Sequence, residues 1–128
     1  MIKRFNHIHL ICRDLEHMIQ FFTHTLGGKL LGRMKFGPAD GAQVELGGAT
    51  INLRVRRDDE QIPDPPAGSR YGYDHIGLEV DDLDRAYETL KNQGVEFSVA
   101  PRDAEKYRIA FFKGPERITI ELQEPLKK

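Results

Sequence analysis

A chain of 128 residues with 39% hydrophobic and 30% charged content has the size and balance of one soluble globular domain with a real core. Its formal net charge of −1 gives nucleic acid or an anionic membrane surface nothing to hold. The lone Cys12 excludes an internal disulfide and a cysteine metal cluster. No apolar run reaches the roughly 18 residues of a membrane span and the start lacks a signal-like apolar stretch, so a cytoplasmic protein is expected.

Residues 5–12 alternate polar and apolar, which predicts a strand with Ile8, Leu10 and Cys12 on one face and His7, His9 and Ile11 on the other. Asp14 sits where a helix N-cap belongs, and Leu15, Met18, Ile19, Phe22 and Leu26 recur at helical spacing until Gly27-Gly28 stops them. Strands are expected at about 29–36, 41–47 and 49–57, the last two joined as a hairpin by Gly47-Gly48. Residues 58–72 are charged and Pro-rich without periodicity, and predict a linker or a surface loop able to cover a pocket.

The second half replays the first. Tyr73-Asp74-His75-Ile76-Gly77-Leu78-Glu79-Val80-Asp81-Asp82-Leu83-Asp84 matches Phe5-Asn6-His7-Ile8-His9-Leu10-Ile11-Cys12-Arg13-Asp14-Leu15-Glu16 in kind at nearly every position. A repeat on this scale says more about a fold than any single motif. A strand at 73–80, a helix carrying Leu83, Ala86, Tyr87 and Leu90, and strands at about 95–100, 106–113 and 117–123 follow. The predicted architecture is an α+β fold of two βαβββ modules, about 1–57 and 73–128, forming a cupped mixed sheet with helices on the outer face.

Alternation assigns the candidate chemistry. Ile76, Leu78 and Val80, Ile118, Ile120 and Leu122, and Ile51, Leu53 and Val55 should meet the helices. Tyr73, His75, Gly77 and Glu79, then Thr119, Glu121 and Gln123, then Asn52, Arg54 and Arg56 should face the open side. His7, His75 and Glu121 therefore share that side. Two imidazoles and one carboxylate on rigid strands suit a divalent metal that must also bind substrate. His9 is a supporting donor or a competing ligand; Glu79 and Tyr73 are pocket candidates; Arg54 and Arg56 could hold a substrate carboxylate, ketone or phosphate.

Asn6-His7-Ile8-His9-Leu10 with Asp14-Leu15, the second-half stretch 74–83, and Arg108-Ile109-Ala110-Phe111-Phe112 leading to Ile118-Thr119-Ile120-Glu121-Leu122 resemble the vicinal oxygen chelate superfamily. That family includes glyoxalase I, extradiol dioxygenases, methylmalonyl-CoA epimerase and the fosfomycin and bleomycin resistance proteins. The resemblance implies paired βαβββ modules, commonly assembled as a homodimer. It implies metal ligands at His7, His75 and Glu121, with Glu121 also catalytic and Asn52 as a fourth ligand or substrate contact. Glyoxalase I carries Glu where Asn52 stands, and an amide cannot act as a general base. The remaining facial triad makes an Fe(II) dioxygenase-like enzyme the first expectation. A glyoxalase-like lyase or an epimerase using Mn, Ni, Zn or Co comes next, and a metal-free small-molecule binder is the alternative of a different class.

Overall fold

A computed structural model describes residues 1–127. The chain divides into two compact units, Met1–Asp64 and Pro65–Lys128. Their boundary falls inside the Pro-rich stretch that the sequence marks as the joint.

The first unit runs β1 (Ile8–Ile11), α1 (Leu15–Gln20), a π-helical turn (Phe21–Thr25), β2 (Lys29–Phe36), β3 (Ala39–Leu46) and β4 (Ala49–Arg54). Its sheet has the order β1-β4-β3-β2, with β1 parallel to β4 and the other pairs antiparallel. Asp14 caps α1 by accepting from the His17 backbone N–H at 3.0 Å. Met18, Ile19 and Phe22 meet Ala42, Val44, Ile51 and Leu53, all at 3% exposure or less. This is the helix-facing stripe that alternation predicts, and Cys12 is buried with it.

The second unit repeats the order: β5 (Ile76–Glu79), α2 (Leu83–Asn92), β6 (Phe97–Ala104), β7 (Tyr107–Lys113) and β8 (Thr119–Pro125). Its sheet is β5-β8-β7-β6, again with one parallel pair, β5 with β8. Asp82 caps α2 by accepting from the Arg85 backbone N–H. Leu83, Leu90, Ala110, Phe112, Ile120 and Leu122 form its core, extended by the edge-to-face series Tyr87–Phe97–Phe112.

Four expectations need correction. The first helix does not stay regular to Leu26. It widens after Gln20, the Leu26 N–H reaching back five residues to the Phe21 carbonyl, while Thr23 Oγ1 donates to the Ile19 carbonyl at 2.7 Å. The strand expected at 49–57 ends at Arg54, and beyond it the Arg56 guanidinium turns to the carbonyls of Arg57, Asp58 and Glu60. β6 runs past Pro101 to Ala104; it is an edge strand with register shifts either side of Val99, where a missing N–H is tolerated. The strands expected at 5–12 and 73–80 are also shorter, so His7 and His75 each stand one residue ahead of a strand. Among the described residues no helix is long and apolar enough to cross a membrane.

Candidate metal centre

The duplicated parallel pair builds the same frame in each unit. In the second, β5 and β8 align Gly77 with Glu121, and β7 aligns Phe111 with Glu121. Paired residues share a face, so His75, Gly77, Glu121 and Phe111 gather on the side away from α2. His75 Nε2 lies 3.3 Å from Glu121 Oε1, with the two side chains 31% and 12% exposed. The Phe111 ring packs edge-on to the imidazole at 5.4 Å. Gln123 Nε2 donates to the same Glu121 oxygen at 3.3 Å. At Gly77 an added Cβ would sit 3.6 Å from Glu121 Oε1, so the carboxylate lies across the bare backbone there.

Those dimensions fit a metal ion. Two ligands each about 2.1 Å from a tetrahedral or octahedral metal stand about 3.0–3.4 Å apart. A largely buried carboxylate also calls for a compensating cation, and among the described residues the polar groups recorded at Glu121 are an amide and an imidazole. No single unit completes a site: among the described residues no group of three His, Cys, Asp or Glu side chains is arranged for a metal.

In the first unit the register aligns His9 with Asn52 and Gln43 with Asn52. Asn52 thus holds the position that Glu121 holds in the second unit, and His9 holds that of Gly77. Asn52 is buried, at 6% exposure, and Gln43 Nε2 donates to its Oδ1 at 2.9 Å. The His9 ring stands edge-on to Phe36 at 4.6 Å and to His7 at 6.1 Å. Desolvation first, then the positive charges of Arg54, His7 and Arg57, lowers the His9 pKa below the ordinary histidine value. His7 is exposed, and its Nδ1 is hydrogen-bonded to Asn6 Oδ1.

Arg54 is buried at 8% exposure, unlike the bare strand face that alternation suggests. Its Nη1 and Nη2 donate to Glu60 Oε1 and Oε2 at 2.6 and 2.9 Å, a bidentate pair that fixes the guanidinium. The Arg57 backbone N–H adds a third bond to Glu60, and together these hold its carboxyl down at about 2. Tyr73 is half-buried, its hydroxyl shut from solvent without a completed hydrogen bond among the described residues. Burial pushes that phenol's pKa up, with the nearby Thr119 backbone opposing. Glu79 is exposed at the end of β5.

Sequence reasoning missed Gln43 and Glu60. Gln43 could have been found from β3 alternation once its register against Asn52 was known. Glu60 carries no periodic signal, since it lies in the aperiodic stretch.

Residues 4–122 match the Glyoxalase/Bleomycin resistance protein/Dioxygenase superfamily. The chain is 27% identical to the uncharacterized protein YwkD of Bacillus subtilis, covering 97% of this chain and 98% of that one. It is also 27% identical to Glyoxalase I of Saccharomyces cerevisiae over 91% of this chain, but spans only 43% of that longer protein. Among solved structures, a mutant of the fosfomycin resistance protein FosX from Listeria monocytogenes, complexed with Mn(II) and 1S,2S-dihydroxypropylphosphonic acid, superposes with a TM-score of 0.72. It is 21% identical, with 96% of this chain and 90% of that chain covered. With the repeated mixed sheets and the match over nearly its whole length, the chain belongs to the glyoxalase, bleomycin resistance protein and dioxygenase superfamily.

Proposed function

We propose that the protein is a metal-dependent enzyme that binds two neighbouring oxygens of a small substrate, of the lyase or isomerase kind. His75 and Glu121 would be ligands from the second unit and His7 a ligand from the first, in the same chain or in a second copy. The observation that carries the reading is the 3.3 Å approach of His75 Nε2 to a largely buried Glu121 carboxylate. A divalent ion held there would act as a Lewis acid on the substrate oxygens and stabilise the anion formed beside them. Glu121 would also be the carboxylate that takes a proton from the adjacent carbon. Asn52 cannot take that proton and its carbonyl oxygen is engaged by Gln43, so it is assigned a substrate hydrogen bond rather than metal ligation. His9 and Tyr73 would line the pocket and Glu79 its rim. Arg54, locked by Glu60, would shape the wall without binding substrate.

An Fe(II) dioxygenase, the first expectation from the ligand trio, has weaker support. Phe111 stands beside His75 and Glu121 and offers no hydroxyl. The similarity to a glyoxalase I and to a fold that holds Mn(II) bears on lyase-type or addition chemistry, with Mn, Ni, Zn or Co as candidate metals.

Elemental analysis of freshly purified protein should find about one metal per chain, lost in Glu121→Ala. Activity should appear with a hemithioacetal or epimerisable 2-ketoacid-derived substrate panel under added Mn(II), Ni(II), Zn(II) or Co(II). Oxygen uptake with catechols under Fe(II) would instead favour the dioxygenase. Full retention of metal by His75→Ala would overturn the ligand assignment, and no metal under any loading would reduce the protein to a metal-free small-molecule binder.

A further inference from the structure

We propose that Asn6 and Asp74, the residues directly ahead of His7 and His75, are positioning residues that decide which imidazole nitrogen each histidine offers. The role toward metal rests on the reading above; the effect on the ring stands on its own geometry.

Asn6 Oδ1 lies 2.8 Å from His7 Nδ1, and Asp74 Oδ2 lies 2.8 Å from His75 Nδ1. An ionised carboxylate only accepts, so the Asp74 contact calls for the hydrogen on Nδ1, and the Asn6 contact calls for it with the amide oxygen turned to the ring. Neighbouring side chains on a strand point to opposite faces and do not bond in this way. Here they can, because each pair stands just ahead of its strand, where β1 begins at Ile8 and β5 at Ile76. The two halves keep the contact while changing the residue from amide to acid.

Placing the hydrogen on Nδ1 leaves Nε2 as a bare lone pair. In the second unit that lone pair faces Glu121 Oε1 at 3.3 Å. A proton on Nε2 or a metal ion can each fill the space between the ring and the carboxylate. Asp74 and Glu121 therefore act on opposite sides of one imidazole: the first orients it, and the second shares what it binds. The charged carboxylate of Asp74 also pushes more electron density toward Nε2 of its ring than the neutral Asn6 does in His7, which makes His75 the stronger donor to a cation.

The test uses the metal-free protein at pH 8 and two-bond proton–nitrogen NMR correlations of the histidine rings. In the parent chain, His7 and His75 should show protonated Nδ1 and bare Nε2. Asn6→Ala and Asp74→Ala should release His7 and His75 respectively to a mixed tautomer population, while Asp74→Asn should keep the parent state of His75. In parallel, Mn(II) titration should show affinity falling about 10–100-fold in Asp74→Ala and recovering in Asp74→Asn. Asn6 and Asp74 are exposed, so melting curves should match the parent. Rings unchanged in both alanine variants would overturn the positioning role. Rings that switch as expected in a parent chain that takes up no Mn(II) would leave that role standing and overturn the metal reading alone.

Discussion

Gly41 shows how tightly individual residues are specified on the open face of the first sheet. A Cβ there would come within 2.4 Å of the Leu53 carbonyl oxygen and 2.5 Å of the Phe36 ring. The bare backbone is what lets Phe36 lie across the strand and meet His9. Gly41→Ala should cost about 1–3 kcal/mol in chemical denaturation, as overpacking of a fitted contact does. Glu60 gives a pH signature. Its folded pKa of about 2 lies below its ordinary 4.5, so its stabilisation is present above about 4.5 and is lost as pH falls from there through 2. Glu60→Gln should therefore melt several degrees lower at pH 7 and show a shallower loss of Tm between pH 4.5 and 2. Differential scanning calorimetry across that window is the check. Nothing in the sequence foretold the Arg54–Glu60 pair, because a loop residue finding a strand residue is a tertiary event without a local pattern. That His75 and Glu121 share a face was legible because residue type, repeat and alternation coincide on them.

At the level of elements, periodicity located the described strands and both helices, and erred where backbone hydrogen bonding departs from the simple rules. The first helix keeps its apolar stripe through Phe22 while changing its turn, which a spacing of three and four residues cannot register. β6 keeps going through Pro101 since an edge strand needs only one hydrogen-bonded side. The β6–β7 connection holds a sequence-readable flaw: Glu105 occupies φ +54 in a two-residue turn, where glycine avoids the steric cost. Glu105→Gly should raise stability by about 0.5–1 kcal/mol, measured by urea unfolding.

For the whole molecule, the duplication made the architecture visible in the sequence, and the proposed function rests on divergence between the copies. Each half supplies a histidine ahead of its first strand, yet only the second adds an acid beside it. The proposed stoichiometry is accordingly one metal per chain rather than two. His7→Ala should weaken metal binding by more than about 100-fold, beyond the effect of a supporting residue, although His7 and the His75–Glu121 pair belong to different units. Calorimetric titration would show both the stoichiometry and the loss.

The vacancy at position 77 carries a consequence of its own. A methyl group there would touch Glu121 at an ordinary distance, so alanine should be accepted, whereas a ring such as the one its twin carries at His9 would evict the acid from its seat. Transplanting that histidine, as Gly77→His, should abolish the proposed metal binding while leaving the fold of the second unit intact. One missing side chain would then explain why, of two sister halves, only the second seats a carboxylate beside its histidine.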